Sequence, residues 1–230
     1  MVTSQLNPRQ PPLRAVLWDL DGTLMDSQQN HWLAWQATMV AEGHLLTYDQ
    51  FLASFGQRND VVLRGFFGPR LTDDQVMRIA DAKEARYREL LRGDGADLLP
   101  GVRQWLSRLG TEGWRQAIAS SAPRANVDTA LAVLGIGDCF EAIVAGEDVR
   151  HGKPDPEVFL LAASRLGVRT RQCVVVEDAP AGLEAARRAG MAAIGVCSIP
   201  GRLKGRNVVA SLVDLSPDAF ATVLAEHTCD

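Results

Sequence analysis

The sequence predicts an α/β protein with a doubly wound, mainly parallel sheet and an inserted all-helical segment. Short apolar runs alternate with amphipathic helical patterns from Leu99 onward. The stretch from about Ser27 to Asp97 shows helical periodicity and no convincing strand. Alternating strands and helices are typical of a parallel sheet covered by helices on both faces.

This pattern divides the chain into two domains. We expect an α/β core and a helical cap domain inserted after the first strand. The expected boundaries are 13–28 and 98–230 for the core and 29–97 for the cap.

The first strand ends in an acidic motif. An apolar run from Val16 to Trp18 leads into Asp19-Leu20-Asp21-Gly22. Ligands of open α/β sheets bind at the carboxyl ends of the strands, and Gly22 allows the backbone to turn there. Two carboxylates at such a position suit a cation and proton or phosphoryl transfer.

The inserted segment contains at least two helices. Apolar residues recur at helical spacing between Trp32 and Val40, and Gly43 ends that pattern. Thr72 followed by Gln75 predicts a capping box. It opens a long helix with an apolar stripe at Val76, Ile79, Ala80, Tyr87 and Leu90.

The remaining elements alternate as α/β units. We expect strands at Gln116–Ser120, Ala142–Ala145, Cys173–Glu177, Ala192–Cys197 and Val208–Val213. We expect helices near Val102–Glu112, Ala125–Leu134, Pro156–Leu166 and Ala181–Ala189.

Composition excludes several classes of function. The 230 residues carry a net charge of −4, which gives no reason to expect a nucleic-acid partner. The four cysteines form no CxxC pair, so a zinc site is not expected. No apolar stretch has transmembrane length, and Met1–Pro12 lacks the apolar region of a secretory signal. We therefore expect a cytoplasmic protein that binds neither nucleic acid nor membrane.

Polar side chains follow three further predicted strands or their loops. Ser120 and Ser121 end one strand and precede a helix, where hydroxyl and N–H groups can hold a phosphate oxygen. Lys153 lies in a proline-containing loop, and Glu177 and Asp178 end another strand. Strand ends of a parallel sheet share one crevice, so these residues suit a site for magnesium and phosphate.

Simpler interpretations exist for each motif. Asp19 to Gly22 can be a plain turn, the serines and Asp178 can be helix caps, and Lys153 can be a solvated charge. A calcium loop is excluded by spacing, since Leu24 stands where its glycine is required. A P-loop does not fit either, because Pro154 stands where a hydroxyl ligand is required.

The order Asp-x-Asp-Gly-Thr, Ser, Lys-Pro and Glu-Asp resembles the haloacid dehalogenase-like hydrolase superfamily over nearly the whole chain, from Val16 to about Val213. Within it, the chain is similar to the β-phosphoglucomutase-like branch, which includes sugar-phosphate phosphatases. The resemblance implies a Rossmann-like core with a helical cap and phosphatase activity. The presence of Asp21 argues against a dehalogenase, which needs no proton on a leaving oxygen.

The resemblance also implies roles for the core residues. Asp19 corresponds to the nucleophile that becomes an aspartyl phosphate, and Asp21 to the general acid and base. Mg²⁺ is held by Asp19, the carbonyl of Asp21 and Asp178, with support from Glu177. The phosphoryl group is bound by Gly22, Ser120, Ser121 and Lys153.

Three cap residues are candidates for substrate contact. His31 corresponds to a histidine that couples cap closure to proton transfer, or it is simply packed in a helix face. Arg58 is placed like a phosphate-binding arginine, with spacing one residue shorter. Lys83 lies in an apolar stripe, from which it either snorkels to solvent or points into the cleft.

Near Ser120 the sequence departs from the mutase. Ala122 and Pro123 replace a serine and a lysine that hold a second phosphate there, unless the following Arg124 substitutes for them. This favours simple hydrolysis over transfer through a bisphosphate.

We therefore expect a magnesium-dependent phosphatase of a small phosphorylated metabolite, such as a sugar phosphate. The alternatives are a phosphosugar mutase and, in another class, a non-catalytic phosphometabolite-binding protein. The sequence does not fix the oligomeric state, although a monomer is the simpler expectation.

Overall fold

A six-stranded sheet forms the centre of the computed structural model, which describes residues 13–199 and 201–229. The strands are β1 (Arg14–Trp18), β2 (Trp114–Ala119), β3 (Ala142–Val144), β4 (Cys173–Glu177), β5 (Ala192–Val196) and β6 (Val208–Val209). The α-helices are α1 (Gln28–Ala41), α2 (Tyr48–Ser54), α3 (Asn59–Phe67), α4 (Asp73–Asp94), α5 (Val102–Thr111), α6 (Arg124–Leu134), α7 (Glu157–Leu166), α8 (Pro180–Arg188) and α9 (Ala219–Cys229). The expectation about Met1–Pro12 lies outside the described residues.

All strand pairs in this sheet are parallel, in the order β3-β2-β1-β4-β5-β6. Side chains of β1 alternate between the two faces, as the period of a strand requires. Val16 and Trp18 join one buried cluster, and Ala15 and Leu17 join the other. The predicted doubly wound α/β fold is confirmed, and β1 lies between β2 and β4 at the middle of the sheet.

Helices α1 to α4, called the cap below, lie between β1 and β2 in the chain. They enclose an apolar cluster of their own, which includes Trp35, Phe51, Leu63 and Ile79. The boundaries 29–97 stay a prediction.

The expected capping box at the start of α4 is present. Thr72 Oγ1 accepts from the Gln75 amide, and the Gln75 side chain accepts from the Thr72 amide. No described helix combines the length and apolar character needed to cross a membrane.

Two elements near the C-terminus differ from the expectation. Val208–Val213 was expected as one strand, but β6 ends at Val209 and a 3₁₀ turn follows at Leu212–Asp214. The Ser211 hydroxyl caps that turn, and the Trp105 indole N–H donates to the Leu212 carbonyl, which takes this carbonyl out of strand pairing. Helix α9 was not expected from the sequence.

Candidate active site

Asp19 and Asp21 lie just beyond the end of β1. The Asp19 amide donates to the Val176 carbonyl of β4, which keeps this residue at the edge of the sheet. Gly22 then adopts φ +83°, a conformation that glycine accepts without strain. A Cβ at Gly22 would also meet the Asp178 carboxylate at 2.5 Å. Glycine is therefore required here by both the turn and the close approach.

Lys153 lies between two of the expected carboxylates. Its Nζ donates to Asp19 Oδ1 and to Glu177 Oε1, both at 2.6 Å. All three side chains are nearly buried. Burial opposes the positive charge of Lys153, but the two carboxylates outweigh it and raise the pKa of this ammonium above its ordinary value. Lys153 is therefore a fixed positive charge beside Asp19.

Glu177 is held by contacts on both carboxylate oxygens. Besides the Lys153 bond on Oε1, its Oε2 accepts from the Ala179 amide at 2.8 Å. In α8, a Cβ at Gly182 would overlap the Glu177 carboxylate, so glycine makes room for it. Glu177 is thus suited to orient its neighbours. Asp178, the next residue, receives no hydrogen bond from any described residue.

Ser120 directly follows β2, the strand next to β1. Its amide donates to the Val144 carbonyl, and its buried hydroxyl accepts from the Ala122 amide at 3.0 Å. A Cβ at Gly146 would lie 2.7 Å from the Ser121 carbonyl, so the loop that contains Ser121 packs closely against the end of β3. Both serines are therefore held at the same edge of the sheet as Asp19.

The donor set fits a divalent cation. Carboxylate oxygens of Asp19, Glu177 and Asp178 lie within 4.8 Å of one another. Burial and the neighbouring carboxylates raise the pKa of Asp19 well above its usual range, although Lys153 acts in the opposite direction. Burial and Glu177 raise the pKa of Asp178 to about 7. This excess of buried negative charge is what a hard cation with oxygen ligands neutralises.

Asp21 faces the cap. His31 Nε2 of α1 lies 3.4 Å from Asp21 Oδ1, and the Tyr87 hydroxyl of α4 donates to the same oxygen at 3.3 Å. The His31 and Tyr87 rings stack with centroids 4.0 Å apart. The His31 ring therefore lies between the cap helices and the second aspartate.

Lys83 fixes the tautomer of His31. Its Nζ lies 2.9 Å from His31 Nδ1. An ammonium has donors and no acceptor, so Nδ1 accepts and the ring proton is on Nε2, directed at Asp21. Lys83 is buried with 2% of its surface exposed, so it does not snorkel to solvent.

The cap contacts keep Asp21 ionised. Burial disfavours its charge, but the hydrogen bond from His31, together with Ser27 and the nearby charge of Lys83, outweighs burial and lowers the pKa of Asp21 to about 2. Burial and the Lys83 charge lower the pKa of His31, so its neutral form predominates. Asp21 is thus a carboxylate, and a bound phosphoryl dianion would raise its pKa.

Arg58 reaches the loop that carries Lys153. A Cβ at Gly152 would lie 3.3 Å from Arg58 Cδ, and Arg58 Nε donates to Asp60 Oδ1 at 3.1 Å. A cleft of about 280 Å³ opens near Gly22 and Asp178. The cap residues Gln28 and Phe55 and the core residue Arg202 line it.

Arg124 makes its contacts at the edge of the sheet, on the side of β3. Its guanidinium donates to the Ile143 carbonyl at 3.1 Å and lies 3.3 Å from Asp128 Oδ1. Its backbone amide donates to Glu147. In this structure the Arg124 side chain is engaged at the edge of the sheet, so nothing here supports the substitution considered from the sequence.

Three residues of this region were not assigned from the sequence. The sequence places Tyr87 only in an apolar stripe and gives no role to Glu84 or Asn126. The detectable signal was the consecutive charged pair Lys83-Glu84 between Ala80 and Tyr87, because two charges within an apolar stripe need partners.

Residues 13–190 match a family model described as haloacid dehalogenase-like hydrolase. A β-phosphoglucomutase of Bacillus subtilis is 33% identical over 192 residues, which cover 80% of this chain and 83% of the relative. The fructose-1-phosphate phosphatase YqaB of Escherichia coli is 33% identical over 184 residues, which cover 79% of this chain and 95% of the relative. The crystal structure of a β-phosphoglucomutase from Clostridium difficile superposes with a TM-score of 0.85 at 26% identity, covering 95% of this chain and all of that one.

Proposed function

Because the chain belongs to the haloacid dehalogenase-like hydrolase family and is an enzyme of that family, we propose that it is a magnesium-dependent phosphatase of small sugar phosphates. The observation that carries this proposal is the pairing of Asp19 with Lys153 beside Glu177 and Asp178. It combines a candidate nucleophile, a positive charge and oxygen ligands in one buried cluster.

In the proposed reaction Asp19 attacks phosphorus through a carboxylate oxygen, and the bond to the leaving oxygen of the sugar breaks. The product of this step is an aspartyl phosphate. Lys153 and Ser120, with Ser121 and the turn at Gly22, hold the phosphoryl oxygens and offset the charge spread over them. Water then attacks the phosphorus and releases free phosphate.

Asp21 is proposed to move the protons. It gives a proton to the leaving oxygen in the first step and takes one from water in the second. The low pKa of Asp21 suits the second step, in which this group acts as a carboxylate. For the first step, the negative phosphoryl group raises its pKa when substrate binds. The His31 Nε2–H, directed at Asp21, keeps this carboxylate in a fixed orientation.

Magnesium is proposed to be held by the Asp19 side chain, the Asp21 carbonyl and Asp178, while Glu177 orients these groups and Lys153. When bound, the cation supplies positive charge that offsets the phosphoryl oxygens. The preference of Mg²⁺ for oxygen ligands supports this assignment.

The proposed substrate class is a sugar or sugar-alcohol monophosphate. Relatives named as a fructose-1-phosphate phosphatase and a hexitol phosphatase support it. Arg58 and Lys83 are the proposed cap contacts, and a closed cap would exclude bulk water during transfer. The oligomeric state and the cytoplasmic location stay predictions.

A phosphosugar mutase is the second candidate. The relative named β-phosphoglucomutase and the His31–Asp21 contact favour it. Ala122 and Pro123 count against it, since neither side chain offers a hydroxyl or charge for a second phosphate and Arg124 is engaged elsewhere. A non-catalytic binding protein does not account for membership of this enzyme family.

The test is phosphate release from a panel of sugar phosphates, sugar-alcohol phosphates and phosphoglycolate with Mg²⁺. A coupled assay for conversion of β-glucose 1-phosphate to glucose 6-phosphate runs beside it. Phosphate release without isomerisation is the expected result. Isomerisation primed by a bisphosphate, with little free phosphate, would contradict hydrolysis and support the mutase.

A further inference from the structure

Glu84 is a buried carboxylate with three hydrogen-bond donors. It follows Lys83 in α4 and is 6% exposed. Its Oε1 accepts from Lys83 Nζ at 2.9 Å and from Asn59 Nδ2 at 2.7 Å. Its Oε2 accepts from Asn126 Nδ2 at 2.5 Å. A buried charge with so many partners forms a network in which the loss of one member leaves others unpaired.

The three donors come from different parts of the molecule. Lys83 belongs to α4, Asn59 begins α3 directly after Arg58, and Asn126 belongs to α6 of the core. Asn126 is 1% exposed, and Arg88 Nη1 donates to its Oδ1 at 2.9 Å, which turns its Nδ2 toward Glu84. Helix α6 follows the loop of Ser120 and Ser121. The Glu84–Asn126 bond therefore ties the cap to the core beside the phosphate-binding loop.

The same carboxylate is connected to Asp21 through two side chains. Lys83 donates to Glu84 and to His31 Nδ1, and the latter contact keeps the His31 ring proton on the nitrogen that faces Asp21. Without Glu84, the Lys83 ammonium would be a buried charge without its counter-ion, which costs several kcal/mol in a protein interior. Lys83 would then have to move or lose its proton, and either change would weaken its donation to His31 Nδ1.

We propose that Glu84 is a positioning residue that holds Lys83, and through it the His31 tautomer, against Asp21, and that Asn126 supplies this support only when the cap is seated on α6. This inference rests on the proposed function, in which Asp21 protonates the leaving oxygen. It makes the orientation of the acid depend on the contact between cap and core.

The test compares leaving groups that differ in acidity but little in size. Phenyl phosphate needs a proton on its leaving oxygen more than p-nitrophenyl phosphate does. The kcat/KM for each ester reports the steps up to release of the phenol, so the later attack of water does not enter. The variants are Glu84→Gln and Asn126→Leu. Arg92→Gln is the matched control, because Arg92 also joins α4 to α6, through Thr129, but has no contact with Lys83.

Both variants are expected to lose at least about 10-fold more kcat/KM on phenyl phosphate than on p-nitrophenyl phosphate, within the range of general-acid effects. The control Arg92→Gln should lose little kcat/KM, and the loss should be equal on the two esters. An equal loss on the two esters in the variants would overturn the positioning role and leave the proposed function standing. A wild-type protein that releases phosphate from no substrate with Mg²⁺ would overturn both.

A second measurement begins with the wild-type protein, so its first part does not depend on the folding of a variant. The ¹⁵N chemical shifts of His31 in the wild-type protein should be those of the Nε2–H tautomer. In Asn126→Leu the Nδ1–H form should gain population. An Nδ1–H tautomer in the wild-type protein would overturn the inference.

Discussion

At the scale of single residues, the site is defined by charge. Asp19, Glu177 and Asp178 lie together beside the Lys153 ammonium, and the charge of Arg202 also acts on Asp178. Negative charge therefore exceeds positive charge in a buried volume, and the pKa values of Asp19 and Asp178 rise. Such a cluster stores an electrostatic cost that a bound cation removes. Function and stability should thus oppose each other at these positions.

Asp178→Asn should stabilise the metal-free protein. The pKa of Asp178 is raised to about 7 in the folded state from an ordinary 3.8. This group therefore lowers the free energy of unfolding as pH rises from about 4 to about 7. Removing its charge at pH 8 should raise that free energy by up to about 4 kcal/mol, since one pKa unit corresponds to about 1.4 kcal/mol, and should raise Tm by several degrees.

The measurement is thermal unfolding in EDTA and in Mg²⁺. Magnesium should raise the Tm of the wild-type protein and leave that of Asp178→Asn nearly unchanged. Glu89→Gln, at an exposed position of α4, is the control. A Tm for Asp178→Asn in EDTA below that of the wild-type protein would show that the clustered carboxylates do not destabilise the folded state.

At the scale of elements, the strand ends position the chemistry. β1, β2 and β4 are neighbours in a parallel sheet, and each is followed by a side chain of the candidate site. Helix α8 contributes through Gly182, which has no side chain and therefore leaves the space that the Glu177 side chain fills. The packing of α8 on β4 therefore sets the position of Glu177 and, through it, of Lys153.

Gly182→Ala should impair both the fold and the site. The added methyl group overlaps the Glu177 carboxylate, so Glu177 must move away from Lys153. Overpacking of this kind costs about 1–3 kcal/mol, and phosphatase activity should fall with it. Gly93→Ala in α4 is the matched control, because a Cβ there meets nothing within 4 Å and alanine favours a helix.

The measurements are chemical unfolding, which gives the stability of each variant, and phosphate release, which gives its activity. Gly182→Ala should be less stable and less active than the wild-type protein, and Gly93→Ala should be equally active and at least as stable. Full activity in Gly182→Ala would mean that the position of Glu177 does not matter for the reaction.

The strands were predictable where the sheet is buried on both faces. Cys173–Glu177 was predicted with the bounds found for β4, because an unbroken apolar run that ends in two acids has few other interpretations. The strand at Val208 was predicted too long, because a long-range bond from Trp105 to the Leu212 carbonyl is invisible in the local pattern. The acidic and basic residues at the strand ends could be selected from the sequence because the buried strands that they follow were themselves predictable.

The cap residues could not be oriented from the sequence. Whether His31 faces its own helical core or Asp21 depends on how α1 packs against α4, and helix spacing allows both. Glu84 and Asn126 are 42 positions apart in the chain and meet only because α4 lies on α6. Such contacts are decided by tertiary packing, which the periodicity of a single helix does not contain.

At the scale of the whole molecule, the candidate site lies where cap and core meet. The core supplies Asp19, Lys153 and the acidic pair, and the cap supplies His31, Tyr87 and Lys83 around Asp21. Arg58 of the cap packs against Gly152 in the loop of Lys153. The arrangement allows the cap to select the substrate while the core carries out the phosphoryl transfer.

Arg58→Ala should raise KM for sugar phosphates. If this side chain contacts the sugar, a small acyl phosphate such as acetyl phosphate should be affected far less. Lys83→Ala should lower kcat as well, because Lys83 also holds His31 against Asp21. Steady-state kinetics on both substrates measure the difference, with the exposed Arg86→Ala of α4 as control. A similar loss in Arg58→Ala on the sugar phosphate and on acetyl phosphate would mean that the cap has misfolded or that Arg58 does not contact the sugar.

The central claim is that Asp19 becomes phosphorylated during turnover. The most direct measurement uses a substrate labelled with ³²P, mixed with the enzyme and Mg²⁺ and quenched in acid within the first turnovers. Peptide mapping then locates the label, with Asp19→Asn as the control, which should keep the wild-type fold. We expect acid-stable, base-labile label on the peptide that contains Asp19, and neither label nor turnover in Asp19→Asn. Label on another residue, or turnover by Asp19→Asn, would contradict the claim.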